Sequence, residues 1–207
     1  MKIGIVGSGN VGGTLGRRMA EAGHTVVFGT RRPDSAEMQE LAKISGASVA
    51  TNADAAKASE IIVLATPWPA TEDAIRGLGD LSGKILFDCV NPLKPKLDGL
   101  ELGTTTSAAE AVAKWALGAR VVKIFNTIGY NIMADPAFPA GPATLFYCGD
   151  DAAAKKAAHD LAAQLGFDPI DAGPLTQARL LEPFALLWIS LAFGGQGREI
   201  AFKLMKR

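Results

Sequence analysis

Cysteine and histidine are scarce in this chain of 207 residues. The two cysteines, Cys89 and Cys148, lie in apolar runs typical of strands, which favours buried thiols over a disulfide or a metal site. The two histidines, His24 and His159, form no Cys/His cluster with metal-ligand spacing. Neither histidine lies at the end of a predicted strand, which argues against alcohol or ketone reduction with a histidine acid. We therefore expect no metal centre.

An excess of charge of either sign is also missing. The chain has 21 Lys and Arg residues and 21 Asp and Glu residues, so its formal net charge is zero. Such a balance gives no electrostatic footprint for nucleic acid or for an anionic membrane. The first apolar run is a short strand that ends in glycine, with no basic region before it as in a secretory signal. We expect a cytoplasmic protein that binds neither nucleic acid nor membrane.

What the chain does have is a regular alternation of predicted strands and helices. The hydrophobic content of 48% can fill a sizeable core. The alternation is typical of the α/β class, with a Rossmann-type, doubly wound and mainly parallel sheet followed by a short helical extension. We predict a nucleotide-binding domain over residues 1–174 and a C-terminal helical segment over residues 175–207.

A glycine-rich turn carries the strongest signal. Gly7, Gly9 and Gly12 form a GxGxxG pattern between a strand at Ile3–Val6 and a helix predicted from Asn10 to Ala22. Gly7 permits the sharp turn, Gly9 lets a pyrophosphate approach the backbone, and Gly12 lets the helix lie close to the strand. The amino end of the helix then points its N–H groups and positive dipole end at the phosphates. This context indicates a dinucleotide site rather than an ordinary glycine turn.

The end of the second predicted strand indicates which dinucleotide binds. An acid at that place holds the ribose hydroxyls of NAD, whereas this chain has Thr30, Arg31 and Arg32 and no acid before Asp34. A hydroxyl and two guanidinium groups suit the extra phosphate of NADP. The alternative is a solvated arginine cluster before a helix, which the helix dipole disfavours. The pattern predicts a preference for NADP(H).

Three further loops follow predicted strands and should meet at the same edge of the sheet. They are Thr66-Pro67-Trp68-Pro69, directly after Ala65, then Asn91-Pro92-Leu93, and Asn126-Thr127-Ile128-Gly129. Their amide and hydroxyl groups could orient the ribose and the carboxamide of nicotinamide. The prolines could instead reflect ordinary turns, Trp68 could simply pack in the core, and Asn126 and Thr127 could cap a helix that starts near Tyr130.

The C-terminal segment has a different character. Residues 184–193 are apolar on every side of a predicted helix, which predicts that the helix is buried. Glu182 and Pro183 interrupt the run, which makes a membrane span a weak interpretation. The helix could pack under the sheet, close a substrate pocket or meet a second subunit. We favour the last of these, a homodimer contact.

Several motifs together give a resemblance that covers nearly the whole chain. They are IGIVGSGNVGGTLGRRMAEAGHTVVFGTRRP, LATPW, DCVNPL, VVKIFNTIG and the terminal GGQGREIAFKLMKR. The chain resembles the NADPH-dependent coenzyme F420 reductases, and its cofactor domain is similar to the reductase domain of the STEAP metalloreductases. The resemblance implies that NADPH passes a hydride directly to a stacked ring-type acceptor such as F420 or a flavin.

The pattern and the resemblance together give one set of candidate cofactor-binding residues. The set is Gly7, Ser8, Gly9, Asn10, Val11, Gly12, Thr30, Arg31, Arg32, Ala65, Thr66, Pro67, Trp68, Asn91, Asn126 and Thr127. Tyr130 and Asn131 are candidate contacts of the acceptor, or they merely begin the next helix. No catalytic side chain is assigned, because such a reaction needs mainly the alignment of two rings and the exclusion of water.

Three functions are consistent with these residues. The first is an NADPH-dependent oxidoreductase whose partner is a small-molecule electron acceptor: F420, a flavin or a ferric chelate. The second is a reductase of imines or small carbonyls, which normally carries a larger helical domain than this chain can supply. The third is a non-catalytic module that senses NADP.

Overall fold

A computed structural model describes residues 1–207, apart from the side chain of residue 44. Eight strands form one sheet in the order β3-β2-β1-β4-β5-β6-β7-β8. All neighbouring strands are parallel except β6 and β7, which pair antiparallel through Val122 with Gly149 and Lys123 with Cys148. The predicted α/β class and mainly parallel doubly wound sheet are confirmed.

The elements alternate as the sequence predicts, with boundaries that differ by one to three residues. The strands are β1 Lys2–Val6, β2 Thr25–Thr30, β3 Ser48–Thr51, β4 Ile61–Leu64, β5 Ile85–Asp88, β6 Arg120–Lys123, β7 Thr144–Gly149 and β8 Asp168–Asp171. The helices are α1 Asn10–Glu21, α2 Ala36–Ser45, α3 Asn52–Ala58, α4 Thr71–Arg76, α5 Ala108–Trp115, α6 Tyr130–Ala134, α7 Ala152–Gln164 and α8 Ala178–Leu191.

Helices cover both faces of the sheet, so its central strands are buried on both sides. The strand β4 reads Ile-Ile-Val-Leu and is buried at every position, as parallel strands between two layers of helices require. One apolar cluster includes Leu15 of α1 and Leu161 of α7, and a second on the other face includes Ile75 of α4 and Val112 of α5. This double covering leaves the carboxyl ends of the strands as the open edge of the sheet.

Within a single chain the C-terminal apolar helix is buried on one face only, so burial of its other face by a second subunit stays a prediction. Leu180, Leu187 and Leu191 of α8 are exposed, and Phe193 just beyond it is 62% exposed. The stretch from Leu175 to Gln196 is long and apolar enough to cross a membrane by length and composition. Its one fully buried charge, Glu182, is compensated inside the fold, because it forms an ion pair with Lys123. The helix therefore has one packed face and one exposed apolar face.

The last residues of the chain return to the sheet. The Thr144 N–H donates to the Phe202 carbonyl at 3.0 Å, and the Leu204 N–H donates to Thr144 Oγ1 at 3.0 Å. Lys203 Nζ lies 2.6 Å from Asp168 Oδ2 at the start of β8. The C-terminal segment is thus held against the start of β7 and β8 as well as by α8.

Candidate functional site

An open cleft of about 1320 Å³ runs along the carboxyl ends of the first five strands. Residues that follow β1, β2, β3, β4 and β5 all contribute to its wall. The order β3-β2-β1-β4-β5 reverses direction between β1 and β4, the place where open parallel sheets bind ligands. The cleft therefore lies where the glycine turn predicted a nucleotide.

The geometry of the glycine turn fits a pyrophosphate. Gly7 has a φ of 101°, which L-residues rarely adopt. A Cβ on Gly12 would lie 1.8 Å from the Gly7 carbonyl oxygen, whereas a Cβ on Gly9 would meet no atom within 4 Å. Gly12 is thus needed for helix packing, and Gly9 leaves open space in the cleft wall. The N-cap of α1 is Gly9 and its first turn has no acid, so no carboxylate competes there with a phosphate.

The two arginines predicted to bind the extra phosphate differ in position. Thr30 and Arg31 line the cleft, whereas Arg32 is exposed outside it. The Arg32 N–H donates to Thr30 Oγ1 at 3.2 Å, which closes the turn after β2. Asn52, which sequence reasoning missed, also lines this end, and its Oδ1 is buried without a hydrogen-bond partner among the described residues.

Trp68 both lines the cleft and packs against the fold, which are the two roles that the sequence left open. Its ring lines the cleft, and it also stacks on Trp115 with ring centroids 5.5 Å apart. Its Nε1 donates to Glu101 Oε2 at 2.9 Å, so the loop after β5 helps to hold the ring. A ring fixed on one side by stacking presents a rigid apolar surface on the other.

Asn91 lines the cleft, whereas Asn126 and Thr127 are buried behind its wall. Asn91 Nδ2 donates to the Asn126 carbonyl at 2.8 Å, and Asn126 Nδ2 donates to Asn91 Oδ1 at 3.0 Å and to the Leu181 carbonyl at 3.2 Å. The N-cap of α6 is Gly129, so the alternative that Asn126 or Thr127 caps this helix is wrong. Both Asn126 Oδ1 and Thr127 Oγ1 lack a partner among the described residues.

A strained residue directs this turn. Phe125 has a φ of 63°, although it is neither glycine nor asparagine. Its ring is fully buried and packs edge-on against Phe167, with centroids 6.1 Å apart. Such a conformation costs about 1–3 kcal/mol and persists where the surrounding packing fixes it, often at functional sites. The left-handed backbone at Phe125 lies directly before Asn126, the residue that forms hydrogen bonds with Asn91.

Behind the same wall lies a charge cluster that sequence reasoning missed. Lys123 Nζ contacts Asp88 Oδ2 at 2.8 Å, Glu182 Oε1 at 2.9 Å and the Val90 carbonyl at 2.5 Å. None of the surface of these three charged side chains is exposed. Burial lowers the pKa of Lys123, but the two carboxylates outweigh that effect and the pKa is raised. The ammonium thus stays charged and joins β5, β6 and α8.

The cysteines are buried thiols, as predicted. Both are free and buried. Burial is the main reason that the pKa of Cys148 rises to about 12, and it also raises the pKa of Cys89, which lines the cleft. A thiol with a raised pKa carries little thiolate at neutral pH and is a poor nucleophile.

The histidines lie away from the cleft wall. His24 Nε2 lies 2.9 Å from Gln164 Oε1, and His159 Nδ1 lies 3.3 Å from the Tyr147 hydroxyl. Neither residue is part of the cleft lining. Asn131, a candidate acceptor contact, instead donates to the Arg198 carbonyl at 2.6 Å and to Glu199 Oε1 at 2.7 Å.

The structure thus brings most of the predicted cofactor residues into one cleft. Gly12, Arg32, Asn126 and Thr127 do not line it. The others do: Gly7, Ser8, Gly9, Asn10, Val11, Thr30, Arg31, Ala65, Thr66, Pro67, Trp68 and Asn91. Besides Asn52, the lining residues that were missed include Asp73, Lys94, Pro95 and Leu97.

Sequence comparison connects this site with known proteins. The family described as NADP oxidoreductase, coenzyme F420-dependent, matches residues 2–92. The F420-dependent NADP reductase of Methanocaldococcus jannaschii is 30% identical over 207 residues, which cover 92% of each chain. Metalloreductase STEAP3 of Rattus norvegicus is 33% identical over 189 residues, but the match covers 89% of this chain and only 36% of STEAP3.

Structural comparison agrees. A proposed F420-dependent NADP reductase from Arthrobacter sp. FB24, known from a crystal structure, matches the whole chain with a TM-score of 0.91 and 33% identity. A reductive aminase from Aspergillus terreus with bound NADPH has a TM-score of 0.69 at 22% identity, and this chain covers 62% of it. The second likeness concerns the fold alone. From the full-length matches, the chain belongs to the F420-dependent NADP oxidoreductase family and is, as such, an NADP-dependent oxidoreductase.

Proposed function

We propose that this enzyme transfers a hydride between NADP(H) and a planar ring-type acceptor, with coenzyme F420 as the first candidate and a flavin as the second. The observation that carries the proposal is the extent and character of the cleft. The cleft continues beyond the residues assigned to the nucleotide, as far as Leu93, Pro95 and Leu97 of the loop after β5. This further part of the wall is available to a second molecule beside the nucleotide.

The nucleotide half of the cleft has the groups that NADP(H) requires. Gly9 and the amino end of α1 receive the pyrophosphate, and Thr30 and Arg31 receive the extra phosphate. From there the nucleotide extends toward the ends of β4 and β5. Asn91, held by its two hydrogen bonds with Asn126, then lies beside the nicotinamide.

The acceptor half is apolar and partly aromatic. Trp68 forms one side, and Leu93, Pro95 and Leu97 from the loop after β5 also line this part of the cleft. Lys94 on the same loop adds a positive charge. A flat ring with negatively charged substituents suits such a surface, because the rigid indole and the aliphatic side chains favour stacking and the ammonium favours an anion.

The side chains near this half suit ring-to-ring hydride transfer better than reduction of a simple carbonyl. NADPH supplies the hydride, and the protein aligns the acceptor and excludes water. Among the described residues, no histidine lines the cleft to act as a proton donor. Imine reductase structures resemble this one in fold, but this chain covers only 63% of the length of one that is known in complex with NADP⁺.

The proposal is tested by offering purified protein and NADPH, without oxygen, to F420, FMN, ferric citrate and a panel of cyclic imines. We expect NADPH oxidation to match F420 reduction one for one. Oxidation of NADPH by the imines alone, or by none of these acceptors, would contradict the proposal. Trp68→Ala should raise the KM for the acceptor, whereas Trp68→Phe, which keeps a stacking ring, should restore it.

We also propose that two copies of this cytoplasmic enzyme pair through the exposed face of α8. Leu180, Leu187 and Leu191 recur at spacings that share one side of a helix, with Phe193 beyond them. Exposed apolar surface of this kind is typical of an interface. Light scattering should give twice the chain mass for the native protein, and the chain mass alone for Leu187→Asp.

A further inference from the structure

The cluster of Asp88, Lys123 and Glu182 carries a net negative charge. Every partner of Glu182 is a donor: Lys123 Nζ at 2.9 Å, the Ala108 N–H at 2.9 Å and the Ala109 N–H at 3.1 Å. An ionised carboxylate satisfies all three donors, and a protonated one does not. Asp88 likewise accepts from the Val90 N–H at 2.8 Å and pairs with Lys123. Burial raises the pKa of Glu182, whereas Lys123 and the Ala108 N–H act in the opposite direction. With both carboxylates ionised, two negative charges share one ammonium, which leaves one negative charge.

Nothing in the immediate surroundings cancels this charge. Lys123 Nζ donates to the Val90 carbonyl and forms ion pairs with Asp88 at 2.8 Å and Glu182 at 2.9 Å, so a single ammonium faces both carboxylates. The amino end of α5, at Ala108 and Ala109, adds the positive end of a helix dipole. A helix end is equivalent to about half an elementary charge at most, so the cluster stays negative.

The cluster lies directly behind the cleft wall. Asp88 ends β5, and the next residues, Cys89, Val90 and Asn91, line the cleft. Val90, whose carbonyl accepts from Lys123, is itself one of the lining residues. Because the three charged side chains are fully buried, water screens their field less than it would screen a surface pair.

We propose that this buried cluster favours the oxidised nucleotide over the reduced one in the bound state. The inference rests on the proposed function, which sets the nicotinamide beside Asn91. The oxidised ring carries a positive charge and the reduced ring is neutral, so a negative charge behind the wall attracts only the oxidised form. Bound NADPH is then a stronger hydride donor than free NADPH. These three charged residues do not contact the nucleotide, so they are positioning residues whose charge acts on it from behind the cleft wall.

The test measures binding without any acceptor. Dissociation constants for NADP⁺, NADPH and 2′,5′-ADP, which lacks nicotinamide, are determined by calorimetry for the native protein and for Glu182→Gln. We expect the ratio of the NADP⁺ constant to the NADPH constant to rise on the order of tenfold in the variant, equivalent to about 1.4 kcal/mol. The affinity for 2′,5′-ADP should stay the same.

Glu110→Gln is the matched control. Glu110 also joins α5 to α8, through Arg179 at 2.6 Å, and its replacement changes the net charge by the same amount outside the cleft lining. The ratio should not move in this control. If Glu182→Gln does not fold, as judged by circular dichroism, Asp88→Asn removes the same charge and should give the same rise.

An unchanged ratio in a folded charge-removing variant would overturn the inference, and so would an equal rise in Glu110→Gln. Asn91→Ala separates this failure from failure of the proposed nicotinamide placement. If Asn91→Ala weakens both NADP⁺ and NADPH but not 2′,5′-ADP, the placement holds and only the electrostatic inference falls. If it weakens none of the three, the placement itself is wrong.

Discussion

Replacing Lys123 by Met should destabilise the protein severely. The substitution keeps an unbranched side chain of similar length but removes the only positive side chain in contact with Asp88 and Glu182 among the described residues. Both carboxylates are fully buried, so water cannot take the place of the ammonium. Removing one partner of a buried ion pair costs about 3–5 kcal/mol, because the remaining charge is left uncompensated.

The expected loss is measurable by urea unfolding and by calorimetry. For a chain of this size, about 3–5 kcal/mol lowers Tm by roughly 6–20 °C. The raised pKa of Lys123 sets the pH range over which its ion pairs stabilise the folded protein. A folded-state pKa above the unfolded value means that the stabilisation is complete below the unfolded pKa and is lost as pH rises through the folded one. The difference between native protein and variant should therefore be full at neutral pH.

Lys155→Met is the matched control. Lys155 Nζ lies 2.9 Å from Asp171 Oδ2, but both side chains are partly exposed. Such a surface pair contributes about 0–1 kcal/mol. A loss of less than about 1 kcal/mol in Lys123→Met, equal to the control, would refute the reasoning that the buried cluster joins β5, β6 and α8.

Arg31→Ala should weaken NADPH binding by about tenfold to a hundredfold and leave NADH nearly unchanged, because a charge-assisted hydrogen bond is worth about 1.5–3 kcal/mol. Arg32→Ala should weaken NADPH binding less than Arg31→Ala does, since Arg32 lies outside the cleft lining. Equal losses of NADPH and NADH affinity in Arg31→Ala would contradict the assignment of Arg31 to the extra phosphate. A hydrogen bond from Lys203 is the main cause that lowers the pKa of Asp168. The contact of Asp168 with Lys203 stabilises the fold at pH values above the unfolded-state pKa of Asp168. The stabilisation is lost as pH falls through the lowered folded-state pKa, so amide exchange at Leu204 should accelerate in that acidic range. If the amide of Leu204 exchanges with the pH dependence of an unfolded chain, the contact between Lys203 and Asp168 does not hold the C-terminal segment.

The sequence predicts the sheet and the nucleotide half of the cleft well, because both depend on local patterns. Apolar runs bounded by turns predict β1 and β4, and the spacing of Gly7, Gly9 and Gly12 has a direct geometric meaning. The position of Arg31 follows from the end of β2.

The region behind the cleft could not be predicted in the same way. Asp88, Lys123 and Glu182 come from three distant parts of the chain, and no spacing rule joins them. The positive φ of Phe125 depends on packing against Phe167, which turns Asn126 behind the wall.

The sequence does not predict which face of α8 packs within the chain, for a related reason. A helix that is apolar on every side is normally buried, but only one face of α8 packs against the fold. On the packed face the charged Glu182 is buried because Lys123 and the amino end of α5 compensate it. The exposed leucines are then left for the partner proposed above.

The most direct test of the central claim follows the hydride itself. NADPH carrying deuterium at the transferable position of its nicotinamide ring is incubated with the enzyme and F420 in ordinary water, and the products are analysed by mass spectrometry. Direct transfer between two rings aligned in one cleft predicts that the deuterium appears in reduced F420. Deuterium lost to water, or reduced F420 that carries none, would contradict it.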